Sequence, residues 1–221
     1  MPYQGSSVMS KFCISISNPQ VVEFLAILAF NETKDTMEAA CIRAYRDMCR
    51  TIRRTDGYKF SALSANTKIA MRIAVSQTIK KRLSRMEITN LDQNYFDNWH
   101  KKTCETIKNV FAKKIGNGWK LSYGQAQKWL NMTLKYLYVL SYNFTPNQLA
   151  CFHAPLDSYI FEVAQNQLSI RKPSKDWSKM DYKEYMDYQR KIREHMTGTT
   201  VFYWELCSWN EAAARHGTPS T

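Results

Sequence analysis

The sequence predicts an all-α fold, and three observations carry that expectation. The chain of 221 residues holds only seven glycines and six prolines, too few turn formers for the many connections of a β-sandwich or barrel. Apolar residues recur at spacings of three and four through most of its length, the period of an amphipathic helix. Apolar residues make up 44% and aromatic residues 13%, which supplies a substantial core and excludes wholesale disorder. No segment has strand character, and no internal repeat is visible.

Taken in order, residues 1–14 read as a disordered lead, without the charged and apolar regions of a secretory signal. A cytoplasmic protein is expected, nucleoid-associated in a prokaryote. The apolar run from Val21 to Phe30 contains Glu23 and falls short of the roughly 18 residues that span a bilayer, so it reads as a buried helix and no membrane partner is expected. Met37, Cys41, Tyr45, Met48 and Ile52 share one helical face and Arg43, Arg46, Arg50, Arg53 and Arg54 another, with a stop at Asp56-Gly57. Ser64 opens a helix that runs to the basic cluster Lys80-Lys81-Arg82-Leu83-Ser84-Arg85. Asp92 is a capping signal for a helix over about Tyr95 to Lys114, which Gly116 and Gly118 break. A further helix is expected from about Gly124 to Ser141, then a loop over 143–154. Pro155 is expected at the first position of a helix ending near Leu168, followed by two last helices over 179–196 and 201–215 and a loose tail at 216–221.

Six scattered cysteines, Cys13, Cys41, Cys49, Cys104, Cys151 and Cys207, form no C-x-x-C pair. They read as reduced core thiols, and no metal or cofactor is implied. With 31 Lys and Arg against 19 Asp and Glu, the formal charge is +12, and the partner expected is a polyanion.

Two helix starts carry chemistry-bearing residues. One is Tyr123-Gly124-Gln125-Ala126-Gln127-Lys128, and the other is Pro155-Leu156-Asp157-Ser158-Tyr159-Ile160, with Asp157 following Lys128 by 29 residues. Gly-x-Ala-x-Lys followed by Pro-apolar-Asp-x-Tyr-Ile resembles the helix-hairpin-helix DNA glycosylases with the Gly/Pro-Asp motif. The long lysine-to-aspartate interval is most similar to the archaeal 8-oxoguanine DNA glycosylase/lyase branch. Near the C-terminus, Trp204-Glu205-Leu206-Cys207-Ser208-Trp209 offers an acid with a tryptophan four residues on, like the base pocket of those enzymes. Ala126 stands where that family has its second hairpin glycine, and the hairpin proline is missing.

The resemblance implies a two-lobed helical bundle with a helix-hairpin-helix element and a cleft between the lobes. One glycosylase-like domain would cover 15–215, with the hairpin lobe over about 95–168 and the second lobe from 15–94 and 175–215. It implies a monomer acting on duplex DNA with a modified base, oxidised guanine or another. Lys128 would be the amine nucleophile and Asp157 the carboxylate that balances positive charge on the sugar. Trp204, Glu205 and Trp209 would hold the flipped base. The backbone amides of Tyr123, Gly124, Gln125, Ala126 and Gln127 would bind a DNA phosphate.

Plainer readings stand beside these. Lys128 shares a helical stripe with Gly124, Asn131 and Lys135, which by composition reads as a solvated polar face. Asp157 fits a first-turn residue favoured by the helix dipole. Arg190 and His195 have the Arg-x4-His spacing of the HEPN ribonucleases, an alternative in which the pair would assist attack by a ribose 2′-hydroxyl. A helical nucleic-acid-binding protein without catalysis is a further alternative.

Overall fold

The computed structural model describes residues 27, 29–30, 35–52, 59–86, 91–116, 118–140 and 142–217. The lead at 1–14, most of the run Val21–Phe30, and Arg53, Arg54, Asp56, Gly57 and Cys13 lie outside them, as do residues 218–221. Among the described residues the protein is all-helical, with eight α-helices and no strand element. No described helix is long and apolar enough to cross a membrane.

Helix α1, Thr36–Cys49, is capped by Asp35, whose carboxylate accepts from the Met37 and Glu38 amides at 2.9 and 3.1 Å. It closes at Arg50, earlier than Asp56-Gly57, because Thr51 turns both its amide and its hydroxyl onto the Met48 carbonyl. Helix α2, Ala65–Leu83, starts on the Ser64 cap, and α3, Gln93–Ile115, on Asp92. The two glycines that end α3 take positive φ, 68° at Gly116 and 75° at Gly118, where a side chain would be strained. Helix α4, Tyr123–Val139, opens with a capping box between Ser122 and Gln125.

Two expectations need correction in the next stretch. The segment 143–154 is not all loop: Pro146–Cys151 forms the short helix α5, with Pro146 in its first turn and Thr145 and Gln148 as a capping box. Pro155 does not begin a helix. It lies in an extended connector, and α6, Ser158–Leu168, starts on Asp157, whose side chain accepts from the Ile160 amide at 2.9 Å. A 3₁₀ turn at Trp177–Lys179 leads to α7, Tyr182–Glu194, and then α8, Val201–Gly217. His216 and Gly217 thus continue the last helix instead of starting a tail.

Helix α4 is the axis of the fold. Fourteen of its 17 residues are buried, because α1 covers one side of it and α3 another. Trp129 is fully buried, its indole N–H donating to the Cys41 carbonyl at 3.0 Å and its ring 5.3 Å from that of Tyr45. One continuous cluster of buried residues runs from Met37 through Phe111, Trp129 and Phe161 to Trp204. The stripe Gly124, Lys128, Asn131 and Lys135 is therefore not a solvated face; it is inside the protein.

Gly124 has a reason other than a hairpin. A Cβ there would lie 1.8 Å from the Trp177 carbonyl oxygen, and its amide donates to the Met180 carbonyl at 2.9 Å. The 3₁₀ turn thus lies directly on the first turn of α4, and Ser122 adds a 2.6 Å bond to the Ser178 carbonyl. Gly124 and Ala126 both sit within α4, while the positive φ angles of the preceding turn belong to Gly116 and Gly118.

Candidate functional site

Lys128 and Asp157 meet. The Lys128 ammonium donates to the Asp157 carboxylate at 2.5 Å, with side-chain exposures of 5% and 11%. The two arrive by different routes. Lys128 stands in the second turn of α4, and Asp157 is the residue on which α6 begins, so its second oxygen is fixed by the Ile160 amide. One carboxylate therefore both caps a helix and holds a lysine.

A second buried pair lies beside the first. Lys135, seven residues along α4, donates to Glu205 of α8 at 3.0 Å, with side-chain exposures of 7% and 1%. The Lys135 ammonium is also 5.1 Å from the centre of the Trp209 ring, a cation–π contact. Burial raises the Glu205 carboxyl above the usual carboxylate range, opposed by the Lys135 charge; Lys128 and Asp157 are both close enough to act on it too. Its second oxygen, Oε2, is buried and takes no hydrogen bond. Trp209 is half-buried and meets the edge of Tyr159 at 6.3 Å between ring centres. So Lys128, Asp157, Glu205 and Trp209 converge from α4, α6 and α8. Trp204 has other contacts: it is buried, and its indole donates to Gln167 at 3.1 Å.

What holds Asp157 opposite Lys128 is a set of amide side chains. Gln127 donates to the Leu156 carbonyl at 3.0 Å and accepts from the Leu156 amide at 3.3 Å, pairing with it as a strand neighbour would. Gln189 of α7 does the same to Ala154, at 2.6 and 3.2 Å. Asn131 bridges the two with one N–H shared between Gln127 Oε1 at 3.1 Å and the Ala154 carbonyl at 3.3 Å. In the extended connector 154–157, these three residues satisfy both backbone groups of Ala154 and of Leu156.

Behind them runs a buried polar chain with one consistent proton arrangement. Tyr123 donates to His100 Nδ1 (3.1 Å), His100 Nε2–H to Asn131 Oδ1 (2.9 Å), Asn131 to the Tyr185 oxygen (2.8 Å), Tyr185 to His153 Nδ1 (2.8 Å) and His153 Nε2–H to Asp97 (2.7 Å). Arg193 closes the far end with two bonds to Asp97 at 3.0 and 2.8 Å. Each histidine has one donor and one acceptor position filled, which suits the neutral ring. Burial pushes both below the ordinary value of 6.5; the charge of His153 adds to this at His100, while Asp97 opposes it at His153. Burial would raise Asp97, but His153, Arg193 and Gln93 hold it well below the usual range.

A pH dependence follows, with its sign set by the unfolded chain. Below the ordinary histidine value the unfolded chain binds protons that the folded one refuses, so stability falls as pH drops through about 6.5. Glu205, raised in the fold, works the other way and favours the folded state toward acid. The urea midpoint should fall between about pH 7.5 and 5.5, and fall less in His100→Asn; an equal fall in that variant would show that His100 is not held neutral.

The remaining expected residues lie elsewhere. Tyr123, Gly124, Gln125, Ala126 and Gln127 are buried, and the amides of Gly124, Gln125 and Ala126 bond to Met180 O, Ser122 Oγ and Ser122 O. The start of α4 does not present these groups to solvent. Arg190 and His195 are both exposed, but Arg190 pairs with Asp187 and His195 Nδ1 lies 2.8 Å from the Lys191 carbonyl, so each is engaged separately. The described cysteines are all free thiols, with Cys41, Cys104 and Cys151 buried and Cys207 exposed. Among the described residues no group of three or more His, Cys, Asp or Glu could hold a metal ion.

Sequence reasoning did not bring Gln189 to the site, read Lys135 and Asn131 as part of a solvated face, and took Gln127 for its backbone amide alone. A signal for Gln127, Asn131 and Lys135 was present in α4, where polar residues occur on several faces of a segment too apolar to lie on the surface. Comparison of the chain with protein-family models, with curated proteins and with solved structures finds no match.

Proposed function

We propose that the protein is a DNA glycosylase with lyase activity, excising a modified base such as oxidised guanine at the Lys128–Asp157 pair. The observation that carries this reading is the 2.5 Å contact between a buried amine and a buried carboxylate that also caps a helix. Base excision needs both groups at one carbon. As the C1′–N bond breaks, its electron pair leaves with the base nitrogen, to which the Lys128 ammonium gives a proton. The Asp157 carboxylate balances the positive charge that develops on the sugar. The neutral amine left on Lys128 then attacks C1′ and the ammonium so formed gives one proton to the Asp157 carboxylate; the nitrogen lone pair expels O4′, which takes that proton as the C1′–O4′ bond breaks, leaving the protonated Schiff base from which strand cleavage by elimination proceeds. The displaced base would stack on Trp209 and place an N–H donor on the unpaired Oε2 of Glu205.

The test uses duplex DNA carrying 8-oxoguanine, with other modified bases in parallel. Borohydride added during turnover should trap a covalent adduct with the intact chain, and Lys128→Ala should lose it. An adduct that survives in Lys128→Ala removes the lysine from its role. No base release and no adduct with any modified base would leave a helical nucleic-acid-binding protein without this chemistry.

A further inference from the structure

The excess charge of this chain is concentrated on two neighbouring helices that contribute little to the site. Helices α2 and α3 together carry ten basic and two acidic residues, a surplus of eight out of the chain's twelve. By contrast α1, whose arginines also suggested a basic face, holds two arginines and two acids in its helical span and has no surplus. Arg43 there is already engaged with Asp47.

The α2–α3 pair also carries two surface grooves. The helices run antiparallel, since the Arg82 carbonyl at the end of α2 accepts from Trp99 near the start of α3. Between their outer faces lie two grooves. One, of about 390 Å³, is lined by Gln77, Thr78, Lys81, Lys113 and Lys114 over a small apolar floor of Ala74 and Val110. The other, of about 510 Å³, is lined by Arg82, Asn98, Lys101, Lys102, Glu105 and Thr106. Glu105, the one acid, is paired with Lys108 at 3.0 Å. Lys81, Lys101, Lys102, Lys113 and Lys114 are exposed and form no ion pair among the described residues.

Helix dipoles account for only part of this. Lys113 and Lys114 are in the last turn of α3, where positive charge is favoured, but Lys101 and Lys102 are in its third turn. From Lys101 in one groove to Lys113 in the other is roughly 18 Å along the α3 axis at 1.5 Å per residue, about five steps of 3.4 Å along one strand of duplex DNA. The linings are polar and basic, without the large apolar anchor that a peptide needs.

We propose that the grooved face of α2 and α3 is a second DNA-binding surface, which grips the phosphate backbone of a duplex through Lys81, Lys101, Lys102, Lys113 and Lys114 without touching the excised nucleotide. It rests on the base-excision proposal for its partner, duplex DNA, but it does not depend on the Lys128 chemistry.

The experiment measures the affinity of the full chain for an unmodified duplex of about 20 base pairs as a function of salt, together with borohydride trapping on a substrate duplex. The variant replaces Lys101, Lys102, Lys113 and Lys114 with alanine. The control removes the same charge elsewhere, from exposed Arg171, Lys172, Lys183 and Lys191. The grooved-face variant should bind about 100-fold more weakly at low salt, with the slope of log affinity against log salt reduced by about 3.6, near 0.9 for each of the four phosphates no longer neutralised. The control should change by less than about threefold. Wild-type slope and affinity in the grooved-face variant would overturn the proposal, as would equal losses in the control. So would a wild-type chain that ignores duplex DNA and binds vesicles of anionic phospholipid. Loss of binding in the variant with no adduct from any substrate supports this surface and removes the excision reading; an adduct with unchanged variant binding does the reverse.

Discussion

Base release should fall by about 100- to 1,000-fold in Asp157→Asn, the scale of losing one electrostatic stabiliser of a transition state, while trapping on a preformed abasic site persists. Asparagine is as good a helix cap as aspartate, so the Ile160 bond and the start of α6 survive the change. What disappears is the negative charge 2.5 Å from Lys128. Without it the departure of the base has no counter-charge at the sugar. The amine, freed from its carboxylate, remains able to attack an aldehyde that is already formed. Unchanged base release would remove Asp157 from the chemistry, and loss of both activities would mean that the aspartate serves only to place Lys128. The paired readout separates charge stabilisation from nucleophilic attack, which a single loss of activity cannot do.

Lys135→Met should cost about 3–5 kcal/mol of folding stability, the scale of stranding one partner of a buried ion pair. Glu205 would be left at 1% side-chain exposure with neither oxygen paired to Lys135. The double variant Lys135→Met/Glu205→Gln should recover most of the loss, because the uncompensated charge is then gone and methionine fills the lysine stem's volume. Acid should narrow the deficit of the single variant. Burial already raises Glu205, and without Lys135 the folded state takes up a proton there before the unfolded state does. Urea midpoints for the three chains at about pH 5 and 7.5 check both statements; a double variant as unstable as the single would place the cost in packing instead of charge.

The helix frame was legible because its punctuation is local. Ser64, Asp92 and the Gly116–Gly118 pair each act within a few residues of where they stand, so α2, α3 and the turn before α4 could be located from residue types alone. Helix α5 had its own local sign, Thr145 with Gln148 and Pro146 between them, but six residues are too few for an apolar period to emerge. Pro155 misled because proline suits an extended connector as well as a first helical turn. In the site, the resemblance carried by the two helix starts pointed to a Lys128–Asp157 pair, and the two side chains do meet. The Lys135–Glu205 pair was hidden for a different reason. Its members are 70 residues apart, and a lysine seven residues beyond Lys128 is indistinguishable from a solvated one until α1 and α3 are known to cover that helix.

The pairing of Gln127 with both backbone groups of Leu156 has a consequence for the history of this chain. A strand held by a ladder can slip and find new partners, but a connector held by single amide side chains from fixed helices has one register. Lengthening the chain between Cys151 and Asp157 by one residue would offer Gln127 the wrong peptide group and turn Asp157 away from Lys128. The stretch from Tyr142 to Thr145 is tied to α4 only at its first residue, where the Tyr142 amide donates to the Leu137 carbonyl at 2.8 Å, and no buried amide side chain of α4 counts its residues. Insertions and deletions should therefore be tolerated on the near side of α5 and refused on the far side, so that related chains vary in length at one end of a six-residue helix and keep strict count at the other.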